Sequence, residues 1–474
     1  MALHTVASSA LEVLFTTSGV GHLAWYSHEA EGTRQSGARS AVRASWQLLG
    51  ARGCGWMKRP LLALSIVMVV GFMSLLPANA WGAEAQHVYA WGDPWSSSIS
   101  SLQYYGATSV GGIPGRVVQI STSNSVSYAL TGSGEVWAWG AGQFGALGNG
   151  TAPASMSTPV QVKFPMGVKI TSLPTPMPYD SGMAIDSSGH IWGWGSNVGK
   201  SLCIPKSNLV YPEKLPLAHV TMASGAGVHA LYLSNGKLYA CGGNTAGELG
   251  DGTTVASMDP VPVVGLPDRS VRSIVSSWED SGAVMADGYF YAWGYNNSDQ
   301  LGDGTTKNSD TPVQVHLPAK VRQLSMGGDY AADGQTVAIL TNGSVWAWGA
   351  DRWGQLGNGE VSSSSGPTRV DVPPRVTFVQ VVSGGPTMYA IDSSGAVWAW
   401  GHNNQGQFGF GSLVLSDVPV RVGIDLSCLS STAANVEGLR EPDAGSTQAG
   451  GGLHGGRSDR SALRLAAQES QCVP

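Results

Sequence analysis

Short apolar runs separated by glycine-rich turns recur along the chain, and their order is clearest between residues 117 and 162. Val117–Ile120 and Ser127–Leu130 are apolar runs, Val136–Trp139 alternates large and small side chains, and Thr158–Val162 begins another extended stretch. Short runs of β-branched and aromatic residues bounded by Gly, Asn, Ser and Pro are typical of antiparallel strands. The pattern predicts four strands per repeat.

A tetrapeptide in the third strand marks each repeat: an aromatic residue, a small residue, usually Trp, and then Gly. It occurs seven times, and its glycines are separated by 48, 55, 47, 52, 55 and 52 residues. A recurring period of this size indicates a repeat architecture. Four-stranded sheets arranged radially bury their faces against one another. The sequence therefore predicts an all-β protein, a seven-bladed β-propeller of four-stranded antiparallel blades in residues 86–426. The glycines of the tetrapeptides are Gly92, Gly140, Gly195, Gly242, Gly294, Gly349 and Gly401.

The repeats resemble the regulator of chromosome condensation repeat family. Its hallmarks are an Ala-Leu strand, a glycine turn, an aromatic-x-Trp-Gly strand and a Gly-Gln-Leu-Gly-x-Gly loop, which occurs here as Gly354–Gly359 and, in related forms, at 247–252, 299–304 and 406–411. The resemblance covers residues 87 to 426 and implies a seven-bladed propeller. The first repeat begins directly at Val88 without an inner pair of strands. Residues 420–422 and 424–426 are the candidates for completing that blade.

Residues 57–85 have the organisation of a secretory signal peptide or signal anchor. Lys58 and Arg59 precede the apolar run Leu61–Leu76, and Ala-x-Ala sites follow it. These are the parts of a signal peptide, and the run is short beside the ~20 residues of a membrane-spanning helix. Cleavage and export are therefore predicted, with an uncleaved anchor as the alternative. Residues 1–56 are interpreted as a non-repeat extension or a mis-assigned start, and residues 427–474 as a disordered Gly, Ser, Ala and Arg-rich tail.

The charge of the propeller region argues against nucleic acid as a partner. The propeller region has 16 Lys and Arg against 23 Asp and Glu, a net charge of −7 with no basic run. Because affinity for nucleic acid depends mainly on cations that face phosphates, nucleic-acid binding is not expected.

Cys241 replaces the tetrapeptide Trp, so it is predicted to fill the core. Without the signal peptide and the residues before it, four cysteines remain, and their pairing stays open.

Catalytic and metal-binding motifs are absent from the sequence. The ten histidines are isolated, and neither a Cys-x-x-Cys pair nor a Gly-x-Ser-x-Gly elbow occurs. We therefore expect no catalytic residue, cofactor or metal. The alternative is an extracellular lyase or glycosidase with a carboxylate pair, Asp180 and Asp280, in the central funnel. A passive envelope or adhesion scaffold is a third possibility.

The residues that break the repeat are the candidate binding residues. In radial repeats, the loops just before the second strands lie on one face, and here several carry aromatic residues beside carboxylates, as protein-binding hot spots do. Aligned on the Ala-Leu strand, the family's frequent histidine position is matched by His229 alone, which argues against exchange-factor activity on small GTPases. The other repeats have Val126, Ser181, Ser281, Thr336 and Thr387 there. The candidate partner-binding face comprises Tyr179, Asp180, His229, Trp278, Glu279, Asp280, Asp329 and Tyr330.

The sequence thus predicts a secreted or cell-surface propeller that acts as a monomer and binds a protein partner without catalysis. An exported propeller that inhibits β-lactamase is similar to this family. Inhibition of a secreted enzyme is therefore a narrower form of the same hypothesis.

Overall fold

A computed structural model describes residues 12–15, 23–26, 88–92, 104–123, 125–328, 334–362, 364–404, 406–409 and 413–422. The chain divides into two compact units, Met1–Glu12 with Ser27–Gln86, and Val13–Tyr26 with His87–Pro474. The strands of the repeats all belong to the second unit. The signal segment 57–85, the tail 427–474, Asp329 and Tyr330 lie outside the described residues. Within the described part of the chain, no helix is long and apolar enough to cross a membrane.

Two small sheets come first in chain order. One pairs β1 (Glu12–Phe15) with β2 (Leu23–Tyr26), in a region for which the sequence shows no strand period. The other pairs β3 (Val88–Gly92), which contains the first tetrapeptide, with β4 (Tyr104–Val110).

Six four-stranded antiparallel sheets follow, and we name them blades A to F. Blade A contains β5 (Val117–Thr122), β6 (Val126–Thr131), β7 (Val136–Gly140) and β8 (Met156–Gln161). Blade B contains β9 (Ile170–Ser172), β10 (Ser181–Asp186), β11 (Ile191–Gly195) and β12 (Leu209–Lys214). Blade C contains β13 (Val220–Ala226), β14 (His229–Ser234), β15 (Lys237–Gly242) and β16 (Ser257–Pro262).

The remaining blades repeat this order. Blade D contains β17 (Val271–Ser276), β18 (Asp280–Met285), β19 (Phe290–Gly294) and β20 (Ser309–Gln314). Blade E contains β21 (Val321–Gly327), β22 (Gln335–Leu340), β23 (Val345–Ala350) and β24 (Ser364–Arg369). Blade F contains β25 (Phe378–Gly384), β26 (Thr387–Asp392), β27 (Val397–Gly401) and β28 (Ser416–Arg421).

The prediction of an all-β propeller with four-stranded antiparallel blades is confirmed, but the predicted number of blades is wrong. The described residues form six such blades, because the first tetrapeptide lies in a two-stranded sheet. Val420 was predicted to help complete that sheet. It instead lies in β28, the fourth strand of blade F, where it pairs with Ala399 of β27. Residues 424–426 lie outside the described residues.

The Trp of the tetrapeptide joins neighbouring blades. Trp194, Trp293, Trp348 and Trp400 are each 0% exposed. Each indole Nε1 donates a hydrogen bond to a backbone carbonyl in the glycine-rich loop of the preceding blade, at 2.9 to 3.1 Å. Buried N–H groups require such a partner. The tetrapeptide and the loop therefore recur together, because the Trp of one and the carbonyl of the other form the contact between neighbouring blades. We call this contact the blade joint.

A glycine in the loop makes this joint possible. Gly302 has a φ of +65°, and a Cβ there would lie 2.8 Å from Nε1 of Trp348. Gly250 and Gly357 lie under Trp293 and Trp400 in the same way. The loop motif keeps Gly at this position because any side chain would push the Trp of the next blade away.

The joint between blades B and C is built differently. Cys241 stands in place of Trp and forms a disulfide with Cys203 in the loop of blade B, with a Cα–Cα distance of 5.6 Å. The Tyr232 hydroxyl donates to the Ser201 carbonyl oxygen at 2.6 Å, replacing the indole hydrogen bond. Cys241 is buried, as predicted, but it is a covalent link rather than core filler alone. The third repeat, which lacks the glycine-rich loop, supplies the partner cysteine.

Candidate functional site

The candidate residues of blades B, C and D lie in the connections between the first and second strands or, like His229 and Asp280, at the first residue of the second strand. The connection of blade C has two residues, Gly227 and Val228, whereas Tyr179 and Trp278 belong to the connections of blades B and D. The rings of Tyr179 and Trp278 are arranged edge to face, with centroids 5.4 Å apart. Tyr179 is 41% exposed and Trp278 is half-buried. The structure therefore brings together two aromatic residues that are almost one hundred positions apart.

Backbone hydrogen bonds fix the Tyr179 connection to both neighbouring blades. Met177 N–H donates to the Thr122 carbonyl oxygen of blade A at 3.2 Å, and Gly225 N–H of blade C donates to the Pro176 carbonyl oxygen at 3.0 Å. Tyr179 N–H donates to the Gly227 carbonyl oxygen at 3.2 Å. The aromatic side chain is thus presented by an ordered connection.

Gly227 is required for the approach of Trp278. Its φ is +45°, and a Cβ at this position would overlap the Trp278 carbonyl oxygen. The short glycine connection of blade C therefore leaves room for the aromatic pair above it.

Three carboxylates cluster at the joint between blades C and D. Glu279 is half-buried next to Trp278, while Asp280 is 2% exposed and Glu248 is 0% exposed. Glu248 Oε2 accepts a hydrogen bond from Ala246 N–H at 2.8 Å, and the Ser277 hydroxyl donates to Asp280 Oδ1. Glu248 Oε1 and Asp280 Oδ2 are buried and have no hydrogen-bond partner among the described residues.

Burial dominates the electrostatics of this cluster. It raises the pKa of Asp280 well above its usual range, and the charges of Glu279 and Glu248 raise that pKa further. Burial likewise raises the pKa of Glu248, with a smaller contribution from the charge of Glu279, and burial raises the pKa of Glu279. Desolvation and like charges both disfavour an ionised carboxylate. The three groups thus make one acidic site that holds protons more strongly than isolated carboxyl groups do.

Glu248 was missed by the sequence analysis, although its position carries a signal. It occupies the Gln position of the glycine-rich loop, where Gln300, Gln355 and Gln407 stand in blades D, E and F. Gln300 and Glu248 accept the equivalent backbone hydrogen bond. The exchange of an amide for a carboxylate in one blade alone could have marked the site.

His229 lies inside the blade joint and not on the surface. It is 0% exposed, its Nε2 lies 2.7 Å from the Ser281 Oγ of blade D, and burial lowers its pKa to about 4. The position that faces the tetrapeptide Gly in each blade is occupied by Val126, Ser181, His229, Asp280, Gln335 and Thr387. The sequence alignment, which gave Ser281 and Thr336, was therefore wrong by one residue in blades D and E.

Asp180 and Asp280 have separate environments. Asp180 Oδ1 accepts a hydrogen bond from the Ser125 hydroxyl at 3.1 Å, and burial raises the Asp180 pKa. The charges that act on Asp280 come from Glu279 and Glu248. The carboxylates that the structure brings into electrostatic range of one another are thus different from the pair suggested for a glycosidase. In the described part of the chain, no group of three or more His, Cys, Asp or Glu is arranged to hold a metal ion.

Asp280→Asn is expected to change how stability depends on pH. The folded pKa of Asp280 is raised, so its stabilising contribution is fully present below the unfolded pKa, near 3.9, and is lost as pH rises through the folded pKa. The free energy of unfolding of wild type minus that of Asp280→Asn should therefore fall on going from about pH 4 to pH 8, by at most ~1.4 kcal/mol per pH unit. Urea unfolding of both proteins across this range measures the difference.

His229 titrates in both proteins, so its opposite contribution cancels in that difference. Its lowered pKa makes stability fall as pH drops from 6.5 towards about 4. Asp259→Asn, which removes a carboxyl group at an exposed position of β16, is the matched control. A constant difference for Asp280→Asn would show that this carboxyl has an ordinary pKa.

Five segments of the chain match one known type of repeat. Residues 133–173, 235–284, 287–332, 342–391 and 394–433 match the Regulator of chromosome condensation (RCC1) repeat. The ultraviolet-B receptor UVR8 of Arabidopsis thaliana is 26% identical over 309 residues, which cover 64% of this chain and 68% of the receptor. The E3 ubiquitin-protein ligase HERC2 of Homo sapiens is 26% identical over 316 residues, which cover 65% of this chain but 6% of the ligase.

Solved structures agree on the fold. The structure of Prp20p from Saccharomyces cerevisiae, a protein studied for its binding to Gsp1p and histones, is similar with a TM-score of 0.62 and 20% identity. The similarity covers 73% of this chain and 88% of that chain. At 20% identity, this similarity is evidence for a shared fold alone. The repeat matches and the relatives together support the RCC1 repeat type for the matched segments.

Proposed function

We propose that this chain, which matches the RCC1 repeat in five segments, is an exported, non-catalytic module that binds a protein partner through the connections of blades B, C and D. The observation that carries the proposal is the pair of Tyr179 and Trp278, two aromatic rings from different blades held 5.4 Å apart at an exposed position. Tyr and Trp are enriched among the few residues that supply most of the binding energy of a protein interface. Asp180 and Glu279 flank the pair.

Export is supported by two independent features. Residues 57–85 have the sequence organisation of a signal peptide, and Cys203 and Cys241 form a buried disulfide between blades. Structural disulfides persist mainly in oxidising compartments outside the cytosol. A partner would then be an extracellular or cell-surface protein, and a secreted enzyme inhibited by the propeller is the narrower form of the proposal.

Capture from the native extracellular fraction tests the proposal. The full mature chain is immobilised beside a Tyr179→Ala, Trp278→Ala double variant. Tyr211→Ala is the matched control, because Tyr211 is 50% exposed on the outermost strand of blade B. We expect a stoichiometric partner that wild type and the control retain, and that the double variant binds at least about thirtyfold more weakly, as for a hot spot worth ~2 kcal/mol.

Equal retention by the double variant would place binding on another surface and overturn the assignment of this face. If the folded wild type retains no partner, the passive scaffold becomes the better description. Hydrolysis of extracellular glycans by wild type, abolished in Asp280→Asn, would instead establish the alternative of an enzyme.

A further inference from the structure

Among the described residues, no Lys, Arg or His forms an ion pair with the carboxyl cluster next to Trp278. The ion pairs among described residues link Lys206 with Glu213, Arg269 with Asp287, and His190 with Asp186. None of them includes Glu248, Glu279 or Asp280. Buried carboxylates are normally paired or fully hydrogen-bonded, because desolvation of an isolated charge costs several kcal/mol or more.

Two buried atoms point to a missing ligand independently of the charge. Asp280 Oδ2 and Glu248 Oε1 are excluded from solvent, yet neither has a hydrogen-bond donor among the described residues. Their residues are 2% and 0% exposed. Unsatisfied acceptors at such depth are rare in native proteins and call for a specific explanation.

Resting on the proposed function, we propose that the partner presents a basic segment, one of whose Arg or Lys side chains binds Glu279 beside Trp278, where its charge compensates the neighbouring buried carboxyl groups. An Arg or Lys carries several N–H donors on a long stem, so it can reach partly buried acceptors. Glu279 is half-buried and therefore gives access to the cluster from the surface.

The aromatic pair favours the same occupant. A guanidinium or ammonium group within about 6 Å of a Trp or Tyr ring is attracted by the ring quadrupole, and Trp278 adjoins Glu279 in sequence. Arg is also enriched with Tyr and Trp at the centres of protein interfaces. A carboxylate cluster beside two aromatic rings therefore suits a basic peptide segment better than a metal ion, for which the described residues offer no arranged ligand set.

Binding of a cation should also release protons from the cluster. A positive charge beside Glu279 and Asp280 favours their ionised forms and lowers pKa values that burial has raised. Affinity should therefore increase from about pH 5 to pH 8. Asp180 and His229 titrate in the same connections and blade joint, so the variant Glu279→Gln is needed to assign the effect.

The test is fluorescence anisotropy of the full mature chain with a short labelled peptide of alternating Gly and Arg. A peptide with citrulline in place of Arg keeps the shape and removes the charge. We expect the Arg peptide to bind at least tenfold more tightly than the citrulline peptide, and Glu279→Gln to lose about tenfold in affinity, as for one charge-assisted contact. Asp259→Asn, which removes an exposed charge from β16, should change the affinity less than twofold.

Equal binding of the two peptides, or unchanged affinity in Glu279→Gln, would overturn the inference. Equal losses in Glu279→Gln and Asp259→Asn would also overturn it, because they would indicate general attraction to an acidic protein. The capture experiment separates the two proposals. A partner that depends on Tyr179 and Trp278 but not on Glu279 would leave the binding module intact and remove the basic segment.

Discussion

Trp348→Ala is expected to lower the free energy of unfolding by about 3–5 kcal/mol. The indole is 0% exposed in the core between blades D and E, and its Nε1 donates to the Gln300 carbonyl oxygen at 3.1 Å. Truncation leaves a cavity and also leaves that buried carbonyl without its donor, so the two costs add. Urea unfolding, analysed for midpoint and slope, measures the loss.

Trp346→Ala is the matched control for this substitution. Trp346 lies two residues away on the same strand, is partly buried, and donates its Nε1 hydrogen bond to the Ser344 hydroxyl of its own hairpin. We expect it to cost less than half as much as Trp348→Ala. Equal losses would mean that the tetrapeptide Trp acts through general hydrophobic burial and not through the joint between blades.

The same joint explains why the fold could be predicted from the sequence. The Trp of one repeat requires the glycine-rich loop of the repeat before it, so both motifs had to recur at one period. Gly302, whose Cβ would meet Trp348, shows how strict the requirement is. A pattern that is repeated for such a reason survives the variation of single residues, as the exchange of Trp for Cys241 shows.

The number of complete blades could not be predicted, because motif counting does not say which strands pair. The first tetrapeptide is present in the sequence, yet β3 has a single partner strand, β4. Val420 and Val422 fit the apolar pattern of a closing strand as well as that of an outer strand. They pair with β27 in blade F, the strand that directly precedes them in the chain.

The register of the second strands in blades D and E also could not be predicted from the sequence pattern. In blade A the second strand shows Tyr128 and Ala129, which define the apolar positions, but Gly282 and Val337 replace the Tyr in blades D and E. The alignment therefore shifted by one residue. Only the pairing of Asp280 with Gly294 and of Gln335 with Gly349 shows which residues lie opposite the tetrapeptide Gly in these blades.

The candidate site was predicted in part for a similar reason. Tyr179, Trp278 and Glu279 break the repeat within single connections, so inspection of each repeat could find them. The partner of Asp280 that lies deepest, Glu248, comes from a different loop of the preceding blade. Contacts between blades combine distant segments, and a sequence read repeat by repeat does not reveal them.

Removal of the Cys203–Cys241 disulfide is expected to cost about 2–4 kcal/mol of stability. The bond joins blades B and C across 38 residues of sequence, at the joint that lacks the tetrapeptide Trp. In the Cys203→Ser, Cys241→Ser variant, the Tyr232 hydroxyl still donates to the Ser201 carbonyl oxygen, so the joint keeps one polar contact. The loss should therefore appear mainly as a lower urea midpoint, together with faster proteolysis of the chain near the joint.

Reduction of the wild-type protein provides the internal control. Dithiothreitol should lower the midpoint of the wild type to that of the double serine variant and should leave the variant unchanged. If reduction has no effect on the wild type, the two cysteines are not bonded in the folded protein, and the support that the disulfide gives to export is lost. If the effect is as large as expected, a chain kept in a reducing compartment would hold blades B and C together without a covalent link, by hydrogen bonds such as that of Tyr232 and by apolar contacts. The measured loss in the free energy of unfolding would then show how much the stability of this propeller depends on an oxidising environment. The signal segment is proposed to direct the chain to such an environment.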